Sequence, residues 1–259
     1  MDETLNGLYS GMEEDDYRSH EAIAKSDLDI LVTGKKKLGR ALVVGKAFHD
    51  LSLLGSDYAK SVWVTLERKC DFRLKKDKEY AKAFSIEHGN RQVINPDERD
   101  LVVRMFNSLS KFEPYQRAMS KPDGHQEVSL FTRLPEWDHD SKARVDIYVP
   151  GACIIDLKTT AYTTSDEFSK AIVDYGYAAQ AGYYTNLVHS IRDIWLPFLF
   201  FCTSKRPPYD TWAQVVSWDH IHHGFKWCND IYRVWNRMLQ EQVHAAIGDA
   251  ESVTIKETK

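Results

Sequence analysis

The densest chemistry in this chain lies in the stretch Arg144-Val145-Asp146-Ile147-Tyr148-Val149-Pro150-Gly151-Ala152-Cys153-Ile154-Ile155-Asp156-Leu157-Lys158-Thr159-Thr160. It is rich in β-formers and broken once by Pro150-Gly151, a strong turn signal, so it reads as a hairpin. Strand side chains alternate with a period of two, which puts Asp156 and Lys158 on one face. The turn can bring Asp146 opposite them. Two carboxylates and an ammonium beside a sheet suit phosphodiester hydrolysis, whose barrier must fall by something within the ~8–23 kcal/mol that enzymes achieve. Carboxylates can hold Mg²⁺ ions that activate water and neutralise the leaving oxygen. A lysine can orient the nucleophile or stabilise charge at the phosphorus. Asp-x-Lys alone is common, and a solvated hairpin with a surface ion pair is the plain alternative.

Other residues join the pattern. Gly45-Lys46-Ala47-Phe48-His49 falls in a segment with apolar residues at helical spacing. Gln180 and Tyr184 are four apart, so both face one side of a helix. Glu127 opens the strand before the hairpin.

Taken together, these elements resemble the PD-(D/E)XK nucleases, in particular the RecB-like branch and its RecE-type phage and prophage exonucleases (exonuclease VIII). Asp156-Leu157-Lys158-Thr159-Thr160 is close to the branch's D-x-K-T-T form, Gly45–His49 is similar to its GxxxH motif, and Gln180 with Tyr184 to its QxxxY motif. The family's Pro-Asp is Val145-Asp146 here. The resemblance implies a restriction-endonuclease-like α/β core with a central mixed sheet flanked by helices. It implies that Asp146 and Asp156 bind metal, with His49 and the Leu157 backbone carbonyl as further ligands. Lys158 would act on the attacking water, and Glu127 would be an extra ligand or water-organiser. Gln180 and Tyr184 would position DNA or a catalytic side chain. The cofactor would be Mg²⁺, or Mn²⁺, with two ions per site. Related exonucleases also place a serine at an early helix start near the DNA 5′-phosphate; Ser26, with Lys25 beside it, stands at such a place, where free amides and the helix dipole favour anions. A simple N-cap role for Ser26 is the competing reading. The resemblance further implies 5′→3′ digestion of linear double-stranded DNA, 3′ overhangs passed to a single-strand annealing protein in recombination, and a ring-shaped homo-oligomer.

Composition bounds these readings. The chain has 259 residues, 43% apolar and 28% charged, which suits one folded domain spanning 1–259. Its net charge of −4 is unusual for a DNA-binding protein. The first sixteen residues, however, hold Asp2, Glu3, Glu13, Glu14, Asp15 and Asp16 and no basic group, and without them the balance turns positive. This acidic stretch and the polar tail 248–259 are expected to be flexible. No run reaches the ~20 apolar residues of a membrane helix, and the N-terminus lacks a signal-peptide pattern, so no membrane partner and a cytoplasmic location are expected. Cys70, Cys153, Cys202 and Cys228 are scattered, unlike zinc or iron–sulfur ligands, and read as mostly buried free thiols. His220-Ile221-His222-His223 begins a helix without a carboxylate pattern and is read as surface histidines. Trp212, Trp218, Trp227 and Trp235 read as core or oligomer contacts.

The elements that must hold the site follow from periodicity and turn signals. Helices are expected over 26–33, capped by Ser26, then 41–54 and 75–88, with a basic stretch of Lys35, Lys36, Lys37 and Arg40 between the first two. Asn95, Pro96 and Glu98 start a helix whose apolar face is Leu101, Val102, Met105, Phe106 and Leu109. Strands are expected at Ser61–Leu66, Glu127–Arg133, Ala143–Val149, Cys153–Lys158, 194–203 and 211–218. A helical region over 165–190 should break near Gly176, and a long amphipathic helix should run from His220 to Ile247. Beside the end-dependent exonuclease, two other activities share the motifs: a RecB-like endonuclease and a single-strand nuclease. A non-catalytic DNA-binding scaffold is the non-enzymatic alternative, opposed by the intact Asp146, Asp156 and Lys158 set. A small-molecule hydrolase lacks any dedicated ligand motif.

Overall fold

A computed structural model describes residues 5–34, 39–121 and 124–256, with side chains considered as far as residue 242. In chain order the elements are β1 (Gly7–Tyr9), α1 (Glu14–Ser19), β2 (Ile23–Ala24), α2 (Lys25–Thr33), α3 (Arg40–Val62), β3 (Trp63–Thr65), α4 (Lys75–Glu87), β4 (Gln92–Ile94), α5 (Pro96–Leu109) and α6 (Glu113–Met119). They continue with β5 (His125–Arg133), β6 (Asp140–Val149), β7 (Cys153–Thr160), α7 (Ser165–Asp174), α8 (Tyr177–Arg192), β8 (Phe198–Ser204), β9 (Thr211–Val215) and α9 (Trp218–Lys256). Lys35, Lys36, Lys37, Asp2 and Glu3 lie outside the described residues.

The strands of residues 125–160 form an antiparallel meander, β5-β6-β7, and β7 then pairs in parallel with β8. A parallel neighbour needs a crossover, and α7 and α8 supply it. The sheet order is β1-β5-β6-β7-β8-β9, with β2 added beside β6. Each face of this mixed sheet buries its own core. On one face Val128, Leu130, Val145, Phe198 and Phe200 pack under Leu28, Phe168, Tyr183, Leu187 and Ile221 of α2, α7, α8 and α9. On the other, Ile147, Ile155, Leu157 and Phe201 pack under Val44, Phe48, Met105 and Leu109 of α3 and α5. This is the three-layer α/β arrangement anticipated from the sequence. The parallel pair β3–β4 with α4 forms a small annex around Leu66, Cys70, Ala81 and Phe84.

Several local expectations change. The chain enters α2 at Ala24, whose amide donates to Asp27 Oδ2 at 2.8 Å, so Asp27 and not Ser26 closes the helix start; Ser26 is exposed in the first turn. The strand expected over Ser61–Leu66 shortens to Trp63–Thr65, because α3 continues to Val62 through a kink at Gly55, whose φ of 85° favours glycine. At α5, Glu98 Oε2 accepts from the Asn95 amide at 2.9 Å as expected, but the Asn95 side chain turns away to pair with the backbone of Cys70. Part of the acidic stretch expected to be flexible is built into the fold: β1 extends the sheet beyond β5, and α1 anchors through Glu14 to Lys46 at 2.8 Å. The last helix runs past Ile247 to Lys256, across the start of the expected tail. Neither β1, α1, β2, β4 nor α6 shows a pattern strong enough to read in sequence, each being seven residues or shorter. Among the described residues no helix is long and apolar enough to cross a membrane.

Candidate active site

The site lies where two neighbouring strands part. β6 and β7 pair at Val149↔Cys153, Tyr148↔Ile154 and Ile147↔Ile155. At the start of β6 the same flank pairs instead with β2, at Ser141 and Lys142. Asp146 stands in the fork between these two pairings. Its Oδ2 accepts from the Leu157 amide at 2.6 Å, so the carboxylate serves a backbone donor that the ladder has just abandoned. On the far flank of β6 the β5 ladder is also disturbed: Glu127 takes a φ of 51°, and pairing resumes on either side at Gln126↔Ile147 and Val128↔Val145. A left-handed residue inside a strand re-aims the side chain. Glu127 Oε2 is 2.7 Å from Arg144 Nε, and Arg144 also donates to the Met12 carbonyl at 2.7 Å.

Helix α3 brings the third group. Its Gly45 faces β7, where a Cβ would reach only ordinary van der Waals contact with Thr159 Oγ1, at 3.9 Å. One turn on, the His49 Nε2–H donates to the Leu157 carbonyl at 2.8 Å, and His49 Nδ1 lies 3.3 Å from Asp146 Oδ2. Ligand atoms of His49, Glu127 and Asp146 all lie within 4.8 Å of one another. Asp156 points to the α8 side. Its Oδ2 is 2.6 Å from Lys158 Nζ, and its Oδ1 accepts from Gln180 Nε2 at 2.5 Å. Tyr184, half-buried, lies one turn beyond Gln180 with its phenol pKa raised well above the usual value by burial. Lys158 Nζ lies 5.0 Å from the Tyr177 ring and 5.5 Å from that of Phe200. These rings shield it from water and favour the cation.

Residues 20–254 match the family model described as a PDDEXK-like domain of unknown function (DUF3799). The chain belongs to this family. The PDDEXK-like fold has a solved counterpart in the crystal structure of a candidate exonuclease from Eubacterium rectale. That protein is 15% identical, with a TM-score of 0.60 over 90% of this chain and 86% of the other. A search of curated proteins finds no match. PD-(D/E)XK nucleases generally use divalent metals, and the donors gathered in this PDDEXK-like chain fit one. Two carboxylates with one imidazole suit hard divalent ions such as Mg²⁺ or Mn²⁺. The half-buried carboxylate of Glu127 and the buried one of Asp146 also stand close together, where a cation is favoured.

The electrostatics show how the PDDEXK-like site satisfies itself with protons. Burial opposes the imidazolium of His49, but Asp146 outweighs it and holds the pKa up at about 9. Burial, then the neighbouring Asp146 charge, pushes Glu127 up to about 7. Burial works to raise Asp146, yet the charge and hydrogen bond of His49 leave it below the usual range. Asp156 is raised by burial against the pull of Lys158, while Lys158 is raised because Asp156 overcomes its burial. Glu127 and His49 thus both bind their protons more tightly folded than unfolded. The stability they contribute is full at low pH. Glu127's share is lost as pH rises from 4.5 through about 7, and His49's as pH rises from 6.5 through about 9. We expect the melting temperature in chelator to fall across this range, and His49→Gln to flatten the upper half. A midpoint that holds steady or climbs from acid to alkaline pH would contradict the arrangement.

The remaining sequence candidates lie apart from this cluster. Lys25 Nζ pairs with Asp29 at 2.9 Å and stands 5.8 Å from the centre of the Trp227 ring, near Gly176 at the entry to α8. Among the described residues no hydrogen bond joins Ser26, beside it and exposed, to Asp146, Asp156 or Lys158. Ser217 caps the start of α9, its Oγ accepting from the His220 amide at 3.3 Å and lying 2.9 Å from His220 Nδ1, and the His223 ring donates to the Asp219 carbonyl at 2.7 Å. Trp212, Trp227 and Trp235 pack against the core, and Trp218 is exposed. Three of the thiols are buried and Cys153 is half-buried. Sequence reasoning passed over Arg144, although its place two residues before Asp146 on one strand puts both on the same face. It also passed over Asp50, which stays buried by accepting from Trp63 Nε1 at 2.7 Å and lies 3.7 Å from Lys46.

Proposed function

We propose that this protein is a metal-dependent exodeoxyribonuclease that digests one strand of linear duplex DNA, in the 5′→3′ direction. The observation that carries the nuclease reading is the fork at Asp146, which collects His49, Glu127 and the Leu157 backbone beside the Asp156–Lys158 pair. A bound divalent cation would supply Lewis-acid polarisation of a phosphoryl oxygen and neutralise charge on the leaving group. Asp146, Glu127, Asp156 and His49 would hold it. Lys158, held by Asp156 and shielded by Tyr177 and Phe200, would orient the attacking water and stabilise negative charge developing on the phosphate. Gln180 would keep the Asp156 carboxylate in register, with Tyr184 packed behind it. The end-dependent, 5′→3′ reading is supported by the resemblance of the motif set to RecE-type exonucleases. On that reading the 3′ overhang would pass to a single-strand annealing protein, and a ring of several copies would retain the DNA between cuts.

End-labelled linear and covalently closed circular duplexes, incubated with Mg²⁺, test this directly. We expect mononucleotides released from the 5′ ends of linear DNA, intact circles, and no cleavage in excess EDTA. Cleavage undiminished by EDTA would refute the metal-dependent account. Nicking of closed circles at a rate comparable to linear digestion would replace the exonuclease with an endonuclease.

A further inference from the structure

The annex of β3, β4 and α4 carries a feature that the active site does not use. Between this annex and the start of α3 runs an open groove of about 620 Å³. Four cations line it, Arg40, Lys78, Lys82 and Arg91, and no Asp or Glu does. That is a marked local excess in a chain of net charge −4. Lys78 and Lys82 are exposed, stand one turn apart on the same face of α4, and have no ion-pair partner among the described residues. Arg91 is held by the carbonyls of Lys60 and His88, so its charge is oriented but not neutralised. Arg40 pairs with Glu98 through two of its nitrogens, and its guanidinium lies over the Phe72 ring, 4.0 Å from the centroid. The rings of Phe72 and Trp63 belong to residues that also line the groove.

We propose that this groove binds single-stranded DNA. A guanidinium already stacked on an aromatic ring offers a flat, cationic platform to a base, and cations spaced along a helix follow a phosphate backbone. Lys78 and Lys82 are about 6 Å apart along the α4 axis, close to the step between successive phosphates of an extended strand. A duplex presents its bases inward and would meet only the cations, whereas an unpaired base could also meet the stacked Arg40–Phe72 pair in the lining. The groove and the cluster at Asp146 share one rigid element. Arg40 begins α3, and His49 lies roughly 14 Å further along its axis, while the Trp63–Asp50 hydrogen bond fixes the groove wall to that helix. The choice of DNA as the polyanion rests on the nuclease reading. On it, the groove would hold the strand that digestion leaves unpaired.

The test uses the full chain in EDTA, where nothing is cut, and follows the anisotropy of a labelled oligothymidylate. Lys78→Glu with Lys82→Glu alters two exposed side chains on one helix face, so the fold is not at risk. The double variant is expected to bind about tenfold or more weakly, and its plot of log affinity against log salt to be shallower by about 1.4, at ~0.7 for each phosphate that is no longer neutralised. Equal affinity and equal salt slope for variant and wild type would overturn the proposal. So would displacement of the strand by thymidine monophosphate at strand-like concentration, which would make the groove a mononucleotide pocket. Displacement by polyglutamate as effective as by oligothymidylate would also overturn it, pointing to an acidic protein partner. If the wild type cuts no DNA but the variant still loses strand binding, the nuclease reading fails and the groove assignment stands.

Discussion

Lys158→Ala is expected to reduce turnover about 10²–10³-fold, the loss typical when one charge-stabilising donor is removed from a closed site, while DNA binding in Ca²⁺ persists. The ammonium is half-buried between Asp156, Tyr177 and Phe200, so its charge is not diluted by water. An interaction realised mainly in the transition state shows itself in turnover rather than in binding. The substitution also strips Asp156 of its ion pair and leaves Gln180 as the remaining side-chain donor. Burial already raises the Asp156 carboxyl, and the substitution removes the Lys158 charge that opposes this, so the shift grows. Thermal melting of the variant therefore belongs beside the rate, to separate lost chemistry from lost fold. Asp146→Asn keeps an acceptor for the Leu157 amide but removes the charge that holds the His49 proton, and it is expected to be inactive, with a melt lowered by the lost His49 pairing and still cooperative. A Lys158→Ala enzyme turning over at the wild-type rate would show that the Asp-x-Lys match is accidental.

Gly224→Ala is expected to destabilise the protein by about 1–3 kcal/mol, the usual range for overpacking, which for a chain of this size is a drop of several degrees in melting temperature. On helix propensity alone the change should stabilise by about 1 kcal/mol. Here contact decides against propensity. α8 and α9 pass so closely that a Cβ on Gly224 would overlap the carbonyl of Ala178 and crowd the amide of Ala179. A Cβ on Gly182 would meet the Ile221 carbonyl and the Phe225 amide in the same way. The obstacles are backbone atoms, which cannot rotate aside, so the helices must separate. α8 carries Gln180, and its displacement should loosen Asp156 and lower turnover as well. A raised melting temperature for Gly224→Ala would mean that the two helices do not meet as described.

Much of the chemistry was legible before any fold was known, because it is written in local periodicity. Strand alternation placed Asp156 and Lys158 together, Pro150-Gly151 turned the chain, and helical spacing aligned Gln180 with Tyr184. Gly176, with a φ of 72°, parts α7 from α8 where it was expected to. The motifs also carried the membership in the PDDEXK-like family. Periodicity says which face of an element a residue occupies. It does not say which other element that face will meet, and there the sequence reading stopped. Ser26 resembled a helix cap, but Asp27 closes the helix start. The fork at Asp146 exists because β2, two residues long, takes the flank that β7 leaves. Glu127 reaches Asp146 only through a left-handed backbone that no strand propensity foretells. The His49 pKa near 9 arises from a contact spanning almost a hundred residues of chain. The cationic groove needs Arg40, Lys78, Lys82 and Arg91 from three separate segments, whose charges cancel in any count over the whole chain. Local sequence thus determined the identity and direction of the candidate site's side chains, whereas pairings between distant segments decided their mutual distances and their protonation, since electric fields and burial depend on position in space and not on order along the chain.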